Sequence, residues 1–274
     1  MSKMPFLKSL DKDLQQTVLN QLRDQWTHSS TAIEGNTLSL GDTKFILDEG
    51  LTISGKPIKE HNEIIGHAKA IDLMYSMIGR EINKENIFLL HKAIQTELIA
   101  DIYKPNGDWK VEQNGTYALD EANKRIYIEY AHPFYVDYLM NEVIKYINFL
   151  HHTKLTTKTA AEAYAKIHSG IVHIHPFWDG NGRIARLVSN LPILNSGLPP
   201  IMIDQKNRKE YIELLSKYQR IIGPINKQTG VWPVKEQLHN FELFCIESYS
   251  MTHQIIDEAK KQQKIREANK PKAC

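Results

Sequence analysis

The sequence predicts an all-α protein that carries one small β-hairpin. Two observations lead there. Apolar residues recur at three- and four-residue spacing through nearly the whole chain, and only residues 110–130 break that rhythm. The 274 residues suit one or two closely packed domains, and 42% hydrophobic content supports a proper core. No internal repeat or low-complexity segment interrupts the pattern.

The first helix starts near Asp13, because Leu14, Val18, Leu22 and Trp26 step by four. Gly35 is its expected stop, which puts Glu34 in the last turn. Ile64, Ile65, Ala68, Ile71 and Tyr75 mark the next helix, and Ile87, Leu90, Ile94 and Leu98 another. The exception, Lys110 to Tyr130, reads as a short hairpin. It holds Asn114-Gly115, then Thr116 to Leu119, a polar turn at Asp120 to Lys124, then Ile126-Tyr127-Ile128. Val136, Met140, Val143, Ile144 and Ile147 restore helical spacing. Ala160, Tyr164, Ile167 and Ile171 mark the helix that delivers His175. From Arg183 to Asn195, Ile184, Leu187, Val188 and Leu191 share one face, and Pro192 should remove a backbone bond and kink the helix. A helix from Arg208 to Ile222 follows, and Val234, Leu238, Phe241, Cys245 and Ser248 begin a long final one. The Lys-rich stretch Lys260 to Lys272 reads as a solvated helix and tail.

Composition narrows the function classes. A formal charge of +2 gives no electrostatic case for a nucleic-acid partner. No apolar run is long enough to span a bilayer, so no membrane role is expected. Met1 to Leu14 lacks the apolar core of a signal peptide. The two cysteines, Cys245 and Cys274, form no metal or disulfide pattern, which points to a reducing compartment, hence the cytoplasm. His173 and His175 flank Ile174, but no further ligand cluster lies nearby in sequence, so zinc is not expected. His67, His91, His151 and His152 read as surface or core histidines.

The chemistry concentrates in His175-Pro-Phe-Trp-Asp-Gly-Asn-Gly-Arg-Ile-Ala-Arg186. Gly180-Asn181-Gly182 reads as a tight turn opening a helix, where outward-pointing amides suit phosphate oxygens. Arg183 and Arg186, one turn apart, offer guanidinium forks to the same anion. A lone carboxylate beside phosphates, Asp179, suits magnesium. His175 has the pKa of a general base, and Phe177 should be buried and pin the loop. No serine or cysteine in the run can act as a covalent nucleophile, so the base would activate a hydroxyl on another molecule.

The run resembles the Fic family signature HPFx(D/E)GNGRxxR and matches it at every fixed position. The resemblance implies a Fic-domain helical bundle with a hairpin flap. It also implies transfer of AMP from ATP to a Ser, Thr or Tyr hydroxyl of a target protein or of the chain itself. His175 would be the base and Asp179 the magnesium ligand. Gly180, Asn181 and Gly182 would bind the α- and β-phosphates, with Arg183 on the phosphates and Arg186 on the γ-phosphate. Ser30, Glu34 and Gly35 match the family's inhibitory pattern (S/T)xxxE(G/N). In relatives with that motif N-terminal to the core, the Glu pairs with the second signature Arg, here Arg186. The flap of Fic relatives aligns the target segment by strand addition. Thr116 and Tyr117, on its first strand, count among the nucleotide-binding residues, as does Tyr211 of Arg208-x-x-Tyr211. Gln219 stands where many relatives have an Asn near adenine, a departure that touches base selectivity. Residues 50–70 also look like the N-terminal portion of bacterial-type Fic proteins. Residues 1–60 would form a helical region bearing the inhibitory motif, and 61–274 the core and C-terminal helices. No C-terminal winged helix is expected, and a homodimer through core helices is. The alternatives are removal of AMP from modified protein with Glu34 as base, transfer of UMP or GMP, and a non-catalytic nucleotide sensor.

Overall fold

A computed structural model describes residues 4–97, 101–119 and 124–269. The architecture is helical, with one two-stranded hairpin among the described residues. In chain order come α1 (Lys12–Ile33), α2 (Leu40–Glu49), α3 (Ile58–Met77) and α4 (Lys84–Ile94). The strands β1 (Gly115–Leu119) and β2 (Arg125–Glu129) follow. Then come α5 (Pro133–His151), α6 (Thr157–Ile174), α7 (Asn181–Val188), α8 (Leu191–Asn195), α9 (Arg208–Ile222) and α10 (His239–Ala268).

Local sequence sets the ends. Ser39 with Asp42, Asn83 with Asn86 and Thr156 with Thr159 form reciprocal caps that satisfy backbone N–H groups at the starts of α2, α4 and α6. Helix α6 is the axis of the fold. It buries Ala160, Ala161, Ala163, Tyr164, Ile167, Gly170 and Ile171 and packs against α5, α7, α8 and α10. At Gly170 a Cβ would press on Val231 Cγ1 at 2.9 Å, so only glycine lets that loop approach. The predicted stripe Leu14, Val18, Leu22 and Trp26 of α1 is buried in the same core as α3, α6 and α10. The N-terminal helix therefore shares its core with the helices that carry the signature.

Several expectations need correction. Ile65 is 51% exposed; the stripe of α3 runs through Ile64, Ala68 and Ile71. Helix α4 ends at Ile94, and Leu98 lies outside the described residues, as do hairpin residues 120–123, Lys272 and Cys274. The expected helix from Arg183 to Asn195 is two helices, broken at Ser189 and Asn190. Pro192 falls in the first turn of α8, where a missing N–H costs nothing. Buried Asn190 occupies the break, donating Nδ2–H to the Arg186 and Ile201 carbonyls and accepting Ile201 N–H at 2.7 Å. The final helix is regular only from His239, preceded by a 3-10 turn at Lys235–Leu238. Cys245 is buried and unpaired, and among the described residues no helix is long and apolar enough to cross a membrane.

Candidate active site

Helix α6 ends in His175, whose φ of 51° makes it the only non-glycine residue in the left-handed region among those described. That conformation stops the helix as a glycine would and turns the chain into Pro176. His175 Nδ1 lies 3.2 Å from the Val172 carbonyl. A carbonyl can only accept, so Nδ1 carries the proton and Nε2 is left as the ring's acceptor. One face of the imidazole stacks on Tyr130, with ring centres 3.7 Å apart and planes 6° from parallel. Burial, and next the Lys110 cation, push His175 down to about 3, so the ring is neutral near pH 7.

The loop after His175 is braced from three sides. Asn181, the first residue of α7, accepts the Phe177 N–H and donates to the Phe177 carbonyl, both at 2.8 Å. Phe177 is fully buried, as expected, and stacks on His91 at 3.8 Å. His91 Nδ1 accepts the Gly107 N–H at 3.0 Å, so its Nε2 carries the proton and donates to the Asp179 carbonyl at 3.1 Å. At the foot of the hairpin, Lys110 donates its N–H to the Pro176 carbonyl and its ammonium to Asn114 Oδ1 and the Ile174 carbonyl. Asn114 Nδ2 donates in turn to the Phe177 carbonyl at 3.1 Å. Burial pulls Lys110 down to about 7.

The two arginines take different partners. Arg183 donates to Asp179 Oδ2 at 3.2 Å. Arg186 is buried and uses all three of its nitrogens. Nη2 donates to Glu34 Oε1 at 2.7 Å and to the Ser30 carbonyl at 2.9 Å, Nε to Ser30 Oγ at 2.9 Å, and Nη1 to the Tyr211 hydroxyl at 3.1 Å. The Tyr211 hydroxyl is also hydrogen-bonded to His168 Nε2 at 3.0 Å. Burial opposes the charge on Glu34, but Arg186, Arg183 and Arg208 outweigh it and hold the carboxyl below its ordinary range. Arg208 also donates Nε–H to the Ile33 carbonyl at 2.7 Å, which satisfies the C-terminal end of α1. Gly35, at φ 105°, lets the chain leave directly after Glu34.

Glu34, His175, Arg208 and Tyr211 face a cleft of about 710 Å³, a size that suits a nucleotide, whereas Asp179 and Arg183 line a separate small pocket with Lys59 and Glu63. The cleft walls include Glu34, Thr116, Tyr117, Tyr130, His175, Gly182, Tyr211 and Gln219. A Cβ built at Gly182 would collide with Glu34 Oε1, so the carboxylate rests against the glycine turn that opens α7. Among the described residues no three His, Cys, Asp or Glu side chains gather to hold a metal by themselves.

Sequence-predicted residues therefore converge from α1, β1, the 175–182 loop, α7 and α9. Sequence reasoning missed Tyr130, Lys110, Asn114 and His168, and read His91 as an ordinary histidine. A signal for Tyr130 existed. Alternation along β2 buries Ile128 and then Tyr130 while Tyr127 and Glu129 stay exposed. Lys110 and His91 carried none, because the partners that tie them to the signature loop are backbone groups distant in sequence.

Residues 82–193 match the Fic/DOC family. Protein adenylyltransferase fic-1 of Caenorhabditis elegans is 31% identical over 227 residues, which cover 76% of this chain and 42% of that protein. The chain thus spans less than half the length of this curated relative. Among solved structures, a Fic domain containing signaling protein from Bacteroides thetaiotaomicron superposes with a TM-score of 0.78 at 25% identity, covering 95% of both chains. A fragment of Fic-1 from C. elegans superposes with a TM-score of 0.65 at 28% identity, covering 94% of this chain and 67% of that one.

Proposed function

The chain belongs to the Fic/DOC family, and from that premise we propose that it is a protein adenylyltransferase restrained by Glu34. It moves AMP from ATP to a hydroxyl side chain of a target protein. The hydroxyl oxygen bonds to the α-phosphorus, the bond from that phosphorus to the α,β-bridging oxygen breaks, and pyrophosphate leaves. The hydroxyl proton goes to Nε2 of His175, the nitrogen that the Val172 contact leaves unprotonated.

The observation that carries the restraint is the 2.7 Å pair between Glu34 and Arg186 beside Gly182. A guanidinium already engaged by a carboxylate cannot offer the same fork to a phosphate. Removal of Glu34 frees Arg186 for the γ-phosphate, and the α-phosphate then settles opposite His175. The helix start at Gly180 to Gly182 supplies amides for the other phosphates.

Asp179 fits magnesium. Its side chain is half exposed, and a single carboxylate sharing the ion with phosphates and water suits that metal. When bound, the ion neutralises phosphate charge.

The experiment is incubation with α-labelled ATP and magnesium, comparing wild type, Glu34→Gly and the double variant Glu34→Gly/His175→Ala. Label should appear on protein in Glu34→Gly and vanish in the double variant. No label in Glu34→Gly, with ATP bound normally, would overturn the assignment.

A further inference from the structure

We propose that Tyr130 is a positioning residue for His175. It holds the imidazole in the plane in which Nε2 meets the incoming hydroxyl. The assignment rests on the adenylyl-transfer reading of the same site.

The ring of a general base must be held about two axes. The Val172 carbonyl fixes one edge of His175, at 3.2 Å, and that single contact leaves the ring able to swing about it. No carboxylate is among the partners of His175 in the described structure. The second restraint is a surface, the parallel Tyr130 ring at 3.7 Å. Tyr130 is fixed in turn. Its N–H donates to the Asn114 carbonyl at 3.1 Å, and its own carbonyl accepts from Gln113 Nε2 at 2.9 Å. Its ring shares the cleft wall with Thr116 of β1 and Gln219 of α9. Only 8% of the residue is exposed. A side chain so pinned cannot move without moving the hairpin foot or the end of α6.

The stack has a second consequence. When His175 takes the proton it becomes a cation, and the electron-rich face of a phenol attracts a cation. That attraction offsets repulsion from the Lys110 ammonium, which lies on the other strand-foot of the hairpin. Tyr130 thus favours the protonated form of the base, the form present as the new P–O bond is made.

The test is carried out in the Glu34→Gly chain with α-labelled ATP. Tyr130→Phe keeps the stack and loses only the hydroxyl. It should hold both kcat and the KM for ATP within about threefold of the parent. Tyr130→Leu removes the stack. It should lower kcat by about 10- to 100-fold while ATP affinity, read by calorimetry, matches that of Tyr130→Phe. A Tyr130→Leu chain as fast as its parent, or a Tyr130→Phe chain as slow as Tyr130→Leu, would overturn the assignment. NMR of labelled histidine gives an arm that needs no turnover. The ring-current shift of the His175 protons should persist in Tyr130→Phe and disappear in Tyr130→Leu, and its persistence in Tyr130→Leu would also overturn it. If the Glu34→Gly parent transfers no label at all, the failure lies with the adenylyl-transfer reading, and the NMR arm still decides the stack.

Discussion

Glu34 Oε1 sits 2.7 Å from Arg186 Nη2, although 152 residues separate them in the chain. Glu34 caps the C-terminus of α1, the end of a helix where a negative charge is disfavoured by the backbone dipole. Its placement there makes sense because Arg186, Arg183 and Arg208 all lower its pKa. Ser30, one turn earlier, gives Arg186 its hydroxyl and its carbonyl. The last turn of α1 therefore surrounds one guanidinium with three oxygen atoms.

Removal of the carboxylate should release activity and cost stability. Glu34→Gly leaves Arg186 bonded to Ser30 and Tyr211, so the arginine stays in place and becomes available to a phosphate. Because 43% of the Glu34 side chain is exposed, water screens the pair, and the stability loss should be about 1–2 kcal/mol rather than the larger cost of breaking a fully buried pair. Thermal unfolding of the two chains reads the loss. A label-transfer rate equal to that of wild type would show that the pair restrains nothing.

Gly182→Ala should break the same pair without the same gain. The added Cβ meets Glu34 Oε1 and lies 3.1 Å from Arg186 Nη1, so the carboxylate must move away. The methyl group then occupies the turn that the phosphates need. ATP titration by calorimetry should show weaker binding than in Glu34→Gly, and no label should reach protein. Activation equal to that of Glu34→Gly would mean that the turn has room to spare.

The course of the helices was legible because one apolar stripe per helix faces one core. Leu14, Val18, Leu22 and Trp26 are all buried as their spacing predicts. The break at Ser189 and Asn190 was not legible. The stripe of apolar residues continues across it, and what ends α7 is a set of bonds between Asn190 and Ile201, eleven residues away. At the site, the signature spacing announced His175, Asp179, Arg183 and Arg186, because their separations follow one loop and one helix. The approach of Glu34 to Arg186 was expected from resemblance alone. Lys110 and His91 act through the carbonyl or amide groups of Pro176, Ile174, Asp179 and Gly107, and every residue type presents such groups. A sequence therefore carries no mark of those partners.

His91→Phe tests the brace behind Asp179. Phenylalanine preserves a ring against Phe177 and removes both nitrogen contacts. The Gly107 N–H and the Asp179 carbonyl then lose their partner. Leaving a buried polar group unpaired costs about 1–3 kcal/mol, and the Asp179 carbonyl is only part-buried, so a loss towards the lower end of about 2–6 kcal/mol is expected. The Asp179 loop should also loosen, weakening ATP binding in the presence of magnesium more than in its absence. A denaturation midpoint within error of wild type would show the brace to be unnecessary.

Lys110 and His175 set the pH response. Burial takes Lys110 from 10.5 to about 7, and burial together with the Lys110 cation takes His175 from 6.5 to about 3. Both folded values lie below the unfolded ones, so in each window the unfolded chain binds more protons and stability rises with pH. For Lys110 the window runs from about 7 to 10.5, and for His175 from about 3 to 6.5. His91 and His173, each pushed by burial to about 4, add to the second window. The unfolding temperature should therefore fall as pH drops below about 6.5, well before the carboxylates titrate. Lys110→Met separates the terms. It removes the cation beside His175, so the His175 pKa should rise and the acid limb of kcat/KM should shift to higher pH in the Glu34→Gly chain. The stability gain between pH 7 and 10.5 should shrink in the same variant. An acid limb that stays where it was would mean that Lys110 does not act on His175 through its charge.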